Sequence, residues 1–216
     1  MIPNHHLDDS TLLAYAAGTL GEAFSVVATA HVAVCPACRS GMRAAEALGG
    51  EFLEGAGVEA VSDDCRNRTF AALEQAGLYR LPVPAPRAAV PRPLAGLLPV
   101  SSLDELGWKT KAPGVAIFEV KLGSSAQGRL RLLRIGAGRA MPEHGHGGEE
   151  ITMVLKGAYV DHMGRFAAGD VADLDEEIEH RPVVERDGDC ICLVATERPT
   201  RFKSLAARLL QPFVGI

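Results

Sequence analysis

The sequence predicts two domains of different class, a helical domain followed by a β-sandwich or small barrel. Three features carry this reading. Residues 1–79 are rich in alanine, with apolar positions recurring at helical spacing, whereas from residue 113 onward Val, Ile and Leu alternate and glycines punctuate the pattern. Between them, RLPVPAPRAAVPRPLAGLLP holds six of the 13 prolines and cannot be the interior of a helix or strand. The expected division is a helical domain over 1–80, a Pro-rich linker over 81–99 and a β domain over 100–216. A chain of 216 residues suffices for two modest cores.

In chain order, Asp9 or Ser10 can cap a short helix carrying Leu12, Leu13 and Tyr15, which Gly18 ends. Thr19 followed three residues later by Glu22 has the form of a capping box and opens a helix through Phe24, Val27 and Ala28 to His31. A third helix starts at the Cys35/Cys38 pair. Pro36 suits its first turn, where a missing N–H costs nothing. A fourth, amphipathic helix runs from Asp63 to about Ala76, with Phe70 and Leu73 apolar and Arg66 and Arg68 outward. Trp108 reads as an anchor between linker and barrel. The segments AIFEV, RLRLLRI, EITMVLK, GAYVDH and CICLVAT then read as strands separated by Gly-containing turns.

Composition narrows the function classes. A net charge of -5 leaves no footprint for direct nucleic-acid binding, so an effect on gene expression would pass through another protein. The apolar stretches are broken by His, Pro, Arg or Gly well short of a spanning length, and MIPNHHLDDS lacks a basic-then-apolar leader. The expectation is a cytoplasmic protein with no membrane partner. Five cysteines in a reducing compartment read as metal ligands or thiols rather than disulfides.

The first chemical motif is HVAVCPAC. On a helix His31 and Cys35 share one face, and Cys38 returns to the same corner a turn later. A tetrahedral zinc ion (Zn2+) needs a fourth ligand, for which His6 is the nearest candidate and His5 the rival. Two plainer readings stand beside this one: a redox CxxC pair, which would normally follow a strand, and a core histidine beside two buried thiols. The spacing of His6, His31, Cys35 and Cys38, preceded by the pattern Asp9, Leu12, Tyr15, Gly18, Leu20, resembles the zinc-binding anti-sigma domain. That resemblance implies a four-helix module with structural zinc. It also implies a partner, a sigma factor of the extracytoplasmic-function (ECF) type, held away from core RNA polymerase.

The second motif is GRAMPEHGHGGEEITMVLKG. Histidines at i and i+2 of a strand face the same side and can bind one ion, and Glu150 can add a carboxylate oxygen. Gly138, His144, His146, Glu150 and Gly157 match the first motif of the cupin fold, with Glu149 as a register rival to Glu150. Gly169, Asp170 and His180 resemble the second motif, although Asp175, Glu177 and Val184 stand where that motif commonly has other residues. The resemblance implies a cupin domain whose divalent metal, with zinc the expectation, is held by His144, His146, Glu150 and His180. The same ligand set also describes cupin oxygenases, so a metal-dependent dioxygenase-like enzyme is the alternative reading.

Cys190 and Cys192 fall on one face of one strand and read as small apolar core residues, with an oxidant-responsive or metal-proximal thiol pair as the rival. Cys65 reads as ordinary, and His162 as a barrel-lining residue without motif support. Taken together, the module order resembles the ChrR family of transcriptional regulators over nearly the whole chain. That resemblance implies no catalytic residues and an anti-sigma factor whose cupin domain mediates release under oxidative stress such as singlet oxygen.

Overall fold

A computed structural model describes residues 2–75, 92–100, 102–123 and 127–202. Four helices come first: α1 (Asp9–Ala16), α2 (Glu22–Val34), α3 (Pro36–Glu54) and α4 (Cys65–Gln75). The strands are β1 (Lys109–Ala112), β2 (Val115–Glu119), β3 (Arg129–Ile135), β4 (His144–Gly145), β5 (Glu150–Lys156), β6 (Ala158–Asp161), β7 (Gly164–Ala167), β8 (Val171–Leu174), β9 (Glu179–His180), β10 (Val183–Val184), β11 (Cys190–Thr196) and β12 (Arg201–Phe202). All pairings are antiparallel. One six-stranded sheet runs β1-β2-β3-β11-β5-β8, and two three-stranded sheets, β10-β6-β7 and β12-β4-β9, complete the barrel.

The helix starts differ from expectation in their chemistry. The N-cap of α1 is Asp8, whose side chain makes no capping hydrogen bond, so neither Asp9 nor Ser10 caps. The Thr19/Glu22 capping box does not form. Gly21 is the N-cap of α2, Thr19 Oγ1 donates to the carbonyl of Ala14, and Glu22 Oε1 accepts from the distant amide of Gly123. The third helix starts as expected: Pro36 occupies its first turn and Cys35 is its cap.

Two faces of the six-stranded sheet are buried. On β11, Ile191, Leu193 and Ala195 join a core shared with Leu7, Leu12, Phe24, Val27 and Ala28 of the helical region. Cys190, Cys192 and Val194 point the other way into the barrel interior. This two-sided burial is why CICLVAT reads as an unbroken apolar run rather than an alternation. Each large side chain so buried stabilises by about 1.5–3 kcal/mol relative to exposure, so α2 is fastened to the barrel by its core.

The Pro-rich segment is therefore not a free spacer throughout. Residues 81–91 lie outside the described residues, but Leu94, Ala95 and Leu98 are buried, and the 3-10 turn Arg92–Leu94 lies against α2. Trp108 is the anchor expected of it: its Nε1 donates to the carbonyl of Leu103 at 2.9 Å and its ring packs against the shared core. By contrast α4 buries none of its residues, and Phe70 and Leu73 are exposed. Among the described residues no single helix is long and apolar enough to cross a membrane.

Candidate metal centres

The first centre forms where α2 meets α3. Tightening of the chain at Cys35 turns the two helices against each other and aims both thiols inward, and the amide of Cys38 donates to Cys35 Sγ at 3.5 Å. His31, Cys35 and Cys38 are at most 2% exposed, while His6 comes in from the N-terminal segment at the surface. Ligand atoms of all four lie within 4.8 Å of one another, and His6 Nδ1 is 3.3 Å from Cys35 Sγ. Edges of about 3.3–3.8 Å are what ligands 2.0–2.3 Å from a tetrahedral ion require. His5 is excluded from this group by packing: it stacks on Phe166 with ring centroids 4.0 Å apart, and its Nε2 lies 3.1 Å from the carbonyl of Arg165.

Two observations test the fit of a metal. His31 Nδ1 donates to the carbonyl of Gly169 at 2.9 Å, which leaves Nε2 as the candidate ligand atom, and that buried nitrogen has no hydrogen-bond partner among the described residues. Burial also pushes the Cys38 thiol up to about 11, with the Cys35 thiol adding to the shift against the amide of Leu7, and burial lowers the His31 imidazole from its ordinary value. This donor set would suit a soft dication, which Cys35 and Cys38 would bind as thiolates. The acceptor for His31 exists because Gly169 has φ +100, a conformation that side chains other than glycine rarely adopt, and its Cα faces Pro3.

The same turn fastens the N-terminal segment. Asp170, only 2% exposed, accepts from the amides of Asn4 (2.6 Å) and His5 (3.1 Å) through Oδ1 and of Ala167 (2.8 Å) through Oδ2. Asp173 Oδ2 accepts from the amide of Asp8 at 3.0 Å, and burial raises the Asp173 carboxyl. The barrel thus holds both sides of His6 and the second nitrogen of His31.

The second centre lies inside the barrel. Antiparallel pairing of β4 with β9 sets His144 opposite His180, and His146 follows two residues on. The three histidines form one group with ligand atoms within 4.8 Å. His144 Nδ1 donates to the carbonyl of Pro142 at 2.8 Å and His180 Nδ1 donates to Asp161 Oδ2 at 3.0 Å. Since those acceptors fix both hydrogens on Nδ1, the two Nε2 atoms face each other with lone pairs only 3.1 Å apart. Such a contact is repulsive without a shared cation, and about 3 Å is the spacing of adjacent nitrogens around one metal ion. Among the described residues, the Nε2 of His146, 2% exposed, has no hydrogen-bond partner, and its Nδ1 faces only the Glu150 carboxylate at 3.3 Å.

Glu150 is buried and Glu149 exposed, as the motif register requires. Its Oε2 lies 3.3 Å from His146 Nδ1 and its Oε1 accepts from Thr152 Oγ1, so the carboxylate stands beside the three histidines and outside their 4.8 Å group. Burial opposes its charge, but His146, His144 and His180 together hold its carboxyl below the usual range. Burial, then the neighbouring His180, lowers the His144 imidazole. Cys190 and Cys192 belong to the barrel core, their sulfurs 3.6 Å apart without a bond. His162 does not line the barrel: it is exposed in the turn between β6 and β7.

Asp161 and Asp170 were not singled out as site residues by sequence reasoning. A period-2 reading of GAYVDH places Asp161 and Tyr159 on one face, which is the available signal for the carboxylate behind His180. Nothing local marks Asp170 as a clamp on residues more than 160 positions away.

The family model of the ChrR cupin-like domain matches residues 99–199. Anti-sigma-E factor ChrR of Cereibacter sphaeroides is 42% identical over 218 residues, covering 100% of both chains. Among solved structures, the crystal structure of Rhodobacter sphaeroides SigE in complex with the anti-sigma ChrR matches with a TM-score of 0.74 and 41% identity, over 89% of this chain and 98% of that one. Likeness at this level along the full length makes this chain a member of the ChrR family of anti-sigma factors.

Proposed function

We propose that the chain is an anti-sigma factor that captures an ECF-type sigma factor with its helical region and negatively regulates transcription in the cytoplasm. The carrying observation is a set of large apolar side chains left exposed on α3 and α4. Leu48, Phe52 and Leu53 of α3 are 48%, 73% and 76% exposed, and Phe70 and Leu73 of α4 are 53% and 62% exposed. Large apolar side chains left exposed on amphipathic helices mark a protein-binding face. The solved anti-sigma ChrR, matched over 98% of its chain, is in complex with SigE, which supports reading that face as the sigma-binding surface.

In this reading the first centre holds zinc through His6, His31, Cys35 and Cys38. Four protein ligands leave no open position, so the ion is structural and fixes the α2–α3 corner. The barrel centre holds a divalent metal, zinc as the expectation, through His144, His146 and His180 with Glu150 beside them. It serves release of the sigma factor under oxidative stress such as singlet oxygen. Affinity purification from cells, with and without Phe52→Asp and Leu53→Asp, tests capture. Recovery of an ECF-type sigma factor with the wild type and its loss with the variants is the expected result; equal recovery with both would overturn the proposed surface.

A further inference from the structure

One strand serves both clusters. Glu150, at the start of β5, stands beside the barrel histidines, and His146 lies only four residues before it. β5 is laddered to β8, with Glu150 opposite Leu174, Thr152 opposite Ala172 and Met153 opposite Val171. Val154, fully buried, then grips the turn leading into β8 with both of its backbone groups. Its amide donates to the carbonyl of Asp170 at 3.0 Å, and its carbonyl accepts from the amide of Gly169 at 2.8 Å. Glu150 to Val154 is four steps of one strand, about 13 Å.

Beyond Val154 the same turn reaches the first cluster. The Gly169 carbonyl accepts from His31 Nδ1, and the Asp170 carboxylate accepts from the amides of Asn4 and His5, which lead into His6. The turn is itself closed: the Asp170 amide donates to the carbonyl of Ala167 and the Asp170 carboxylate accepts from the Ala167 amide, each at 2.8 Å. A packed, hydrogen-bonded unit of this kind moves as a body rather than stretching. A shift of β8 against β5 therefore carries the His31 ring and the backbone entering His6 with it, while Cys35 and Cys38 stay with the helix corner. Two of the four ligands would move against the other two, which distorts a tetrahedral site.

An ion on the three histidines would tie β4 to β9 and draw the Glu150 carboxylate, and with it the start of β5, toward them. Emptied of its ion, the cluster would lose that tie. We propose that the β5–β8 ladder and the Gly169–Asp170 turn relay the state of the barrel centre to His6 and His31, so that filling the barrel centre tightens metal binding at the α2–α3 corner. The relay rests on the reading of both clusters as metal centres and adds its regulation: the two affinities are linked, and the linkage is reciprocal. An emptied barrel loosens the corner without stripping it, so the captured partner is retained but the corner gives up its metal more readily.

The test uses the full-length protein loaded with cobalt(II), whose thiolate charge-transfer band marks the Cys35/Cys38 centre; histidine and carboxylate ligands do not give it. Chelator competition followed at that band reads the affinity of the first centre, and metal analysis of the same samples reads barrel occupancy. Emptying the barrel with His144→Ala and His146→Ala should weaken the first centre about five- to tenfold. Asp170→Asn should weaken it as well, and adding the barrel substitutions to it should cost less than about twofold more, because the relay is already cut. Val184→Ala, a core truncation on β10, which pairs with β6 and not with β5 or β8, should leave the affinity unchanged. Equal affinity with the barrel full and emptied, additive losses in the combined variant, or an equal loss in Val184→Ala would each overturn the relay. Should the double histidine variant fail to fold, His146→Gln takes its place. A wild type that binds fewer than two cobalt ions per chain would sink the metal reading itself, and the relay with it.

Discussion

The two ligand clusters are built on opposite plans. The helical one draws its ligands from a surface segment and a helix corner, and its outermost ligand, His6, is positioned by the barrel through Asp170. The barrel cluster is placed by strand register, His144 against His180, inside walls that pack without it. The first is therefore expected to add order to the corner around it, and the second to be carried by structure already present. The tests below attack that distinction in order of expected effect.

Removing a thiolate is the severest. Cys35→Ser or Cys38→Ser should cost one metal per chain and most of the order at the α2–α3 corner, since structural zinc contributes on the order of 10 kcal/mol to small modules. Metal analysis with helical circular dichroism reads this; a corner that stays folded without metal would erase the contrast. For the barrel, His144→Ala combined with His146→Ala should also remove one metal but cost about 3 kcal/mol at most, within the ordinary range for substitutions. Denaturant unfolding checks the size, and reporter transcription with and without oxidant checks the consequence: repression retained, response lost. A double variant that no longer represses would make the barrel ion structural like the other.

Asp170→Asn probes the dependence of the first cluster on the second region. Weakening a buried carboxylate that accepts three amides should cost about 2 kcal/mol and speed amide exchange at residues 4–8 while leaving β5 and β11 protected. Uniformly faster exchange would show that the junction and barrel open together.

The smallest effect belongs to a barrel-edge ion pair. Arg134 donates to Asp189 at 2.7 and 2.8 Å, but both side chains are more than a third exposed, so Asp189→Ala should cost only about 0.5 kcal/mol. Arg134 holds the Asp189 carboxyl below its usual range. Its contribution is therefore complete above the unfolded value of about 3.9 and is lost as pH falls through the lower folded value. Unfolding curves of wild type and variant should converge in acid.

How much of this was legible depended on how local each determinant is. His31 and Cys35 were readable because one helical turn brings them together, Cys38 because the Cys-Pro-Ala-Cys turn that opens α3 folds it back onto Cys35, and His144 and His146 because strand alternation does. Chain order and spacing favour His6 over His5, but the physical reason that sets His5 aside, its ring stacking on Phe166 far along the chain, was not readable. Thr19 and Glu22 misled because each found a competing partner, Ala14 and Gly123. The Pro-rich segment concealed its packing: proline content excludes helix and strand, but Leu94 and Leu98 within it were the signal that part of it is core.

The shared core under α2 has a consequence for biosynthesis. Every ligand of the first cluster lies within the opening 38 residues, whereas the barrel groups that clamp them lie 138 to 166 positions later. At ribosomal rates of about 5–20 residues per second, that interval lasts roughly 7–30 s. With a metal ion on that cluster the nascent helical segment would close before the strands it docks on exist, and during that wait Phe24 and Val27 would stand bare to water. Metal supply and chaperone access at the ribosome are therefore expected to affect the yield of this protein, which expression under metal limitation would check.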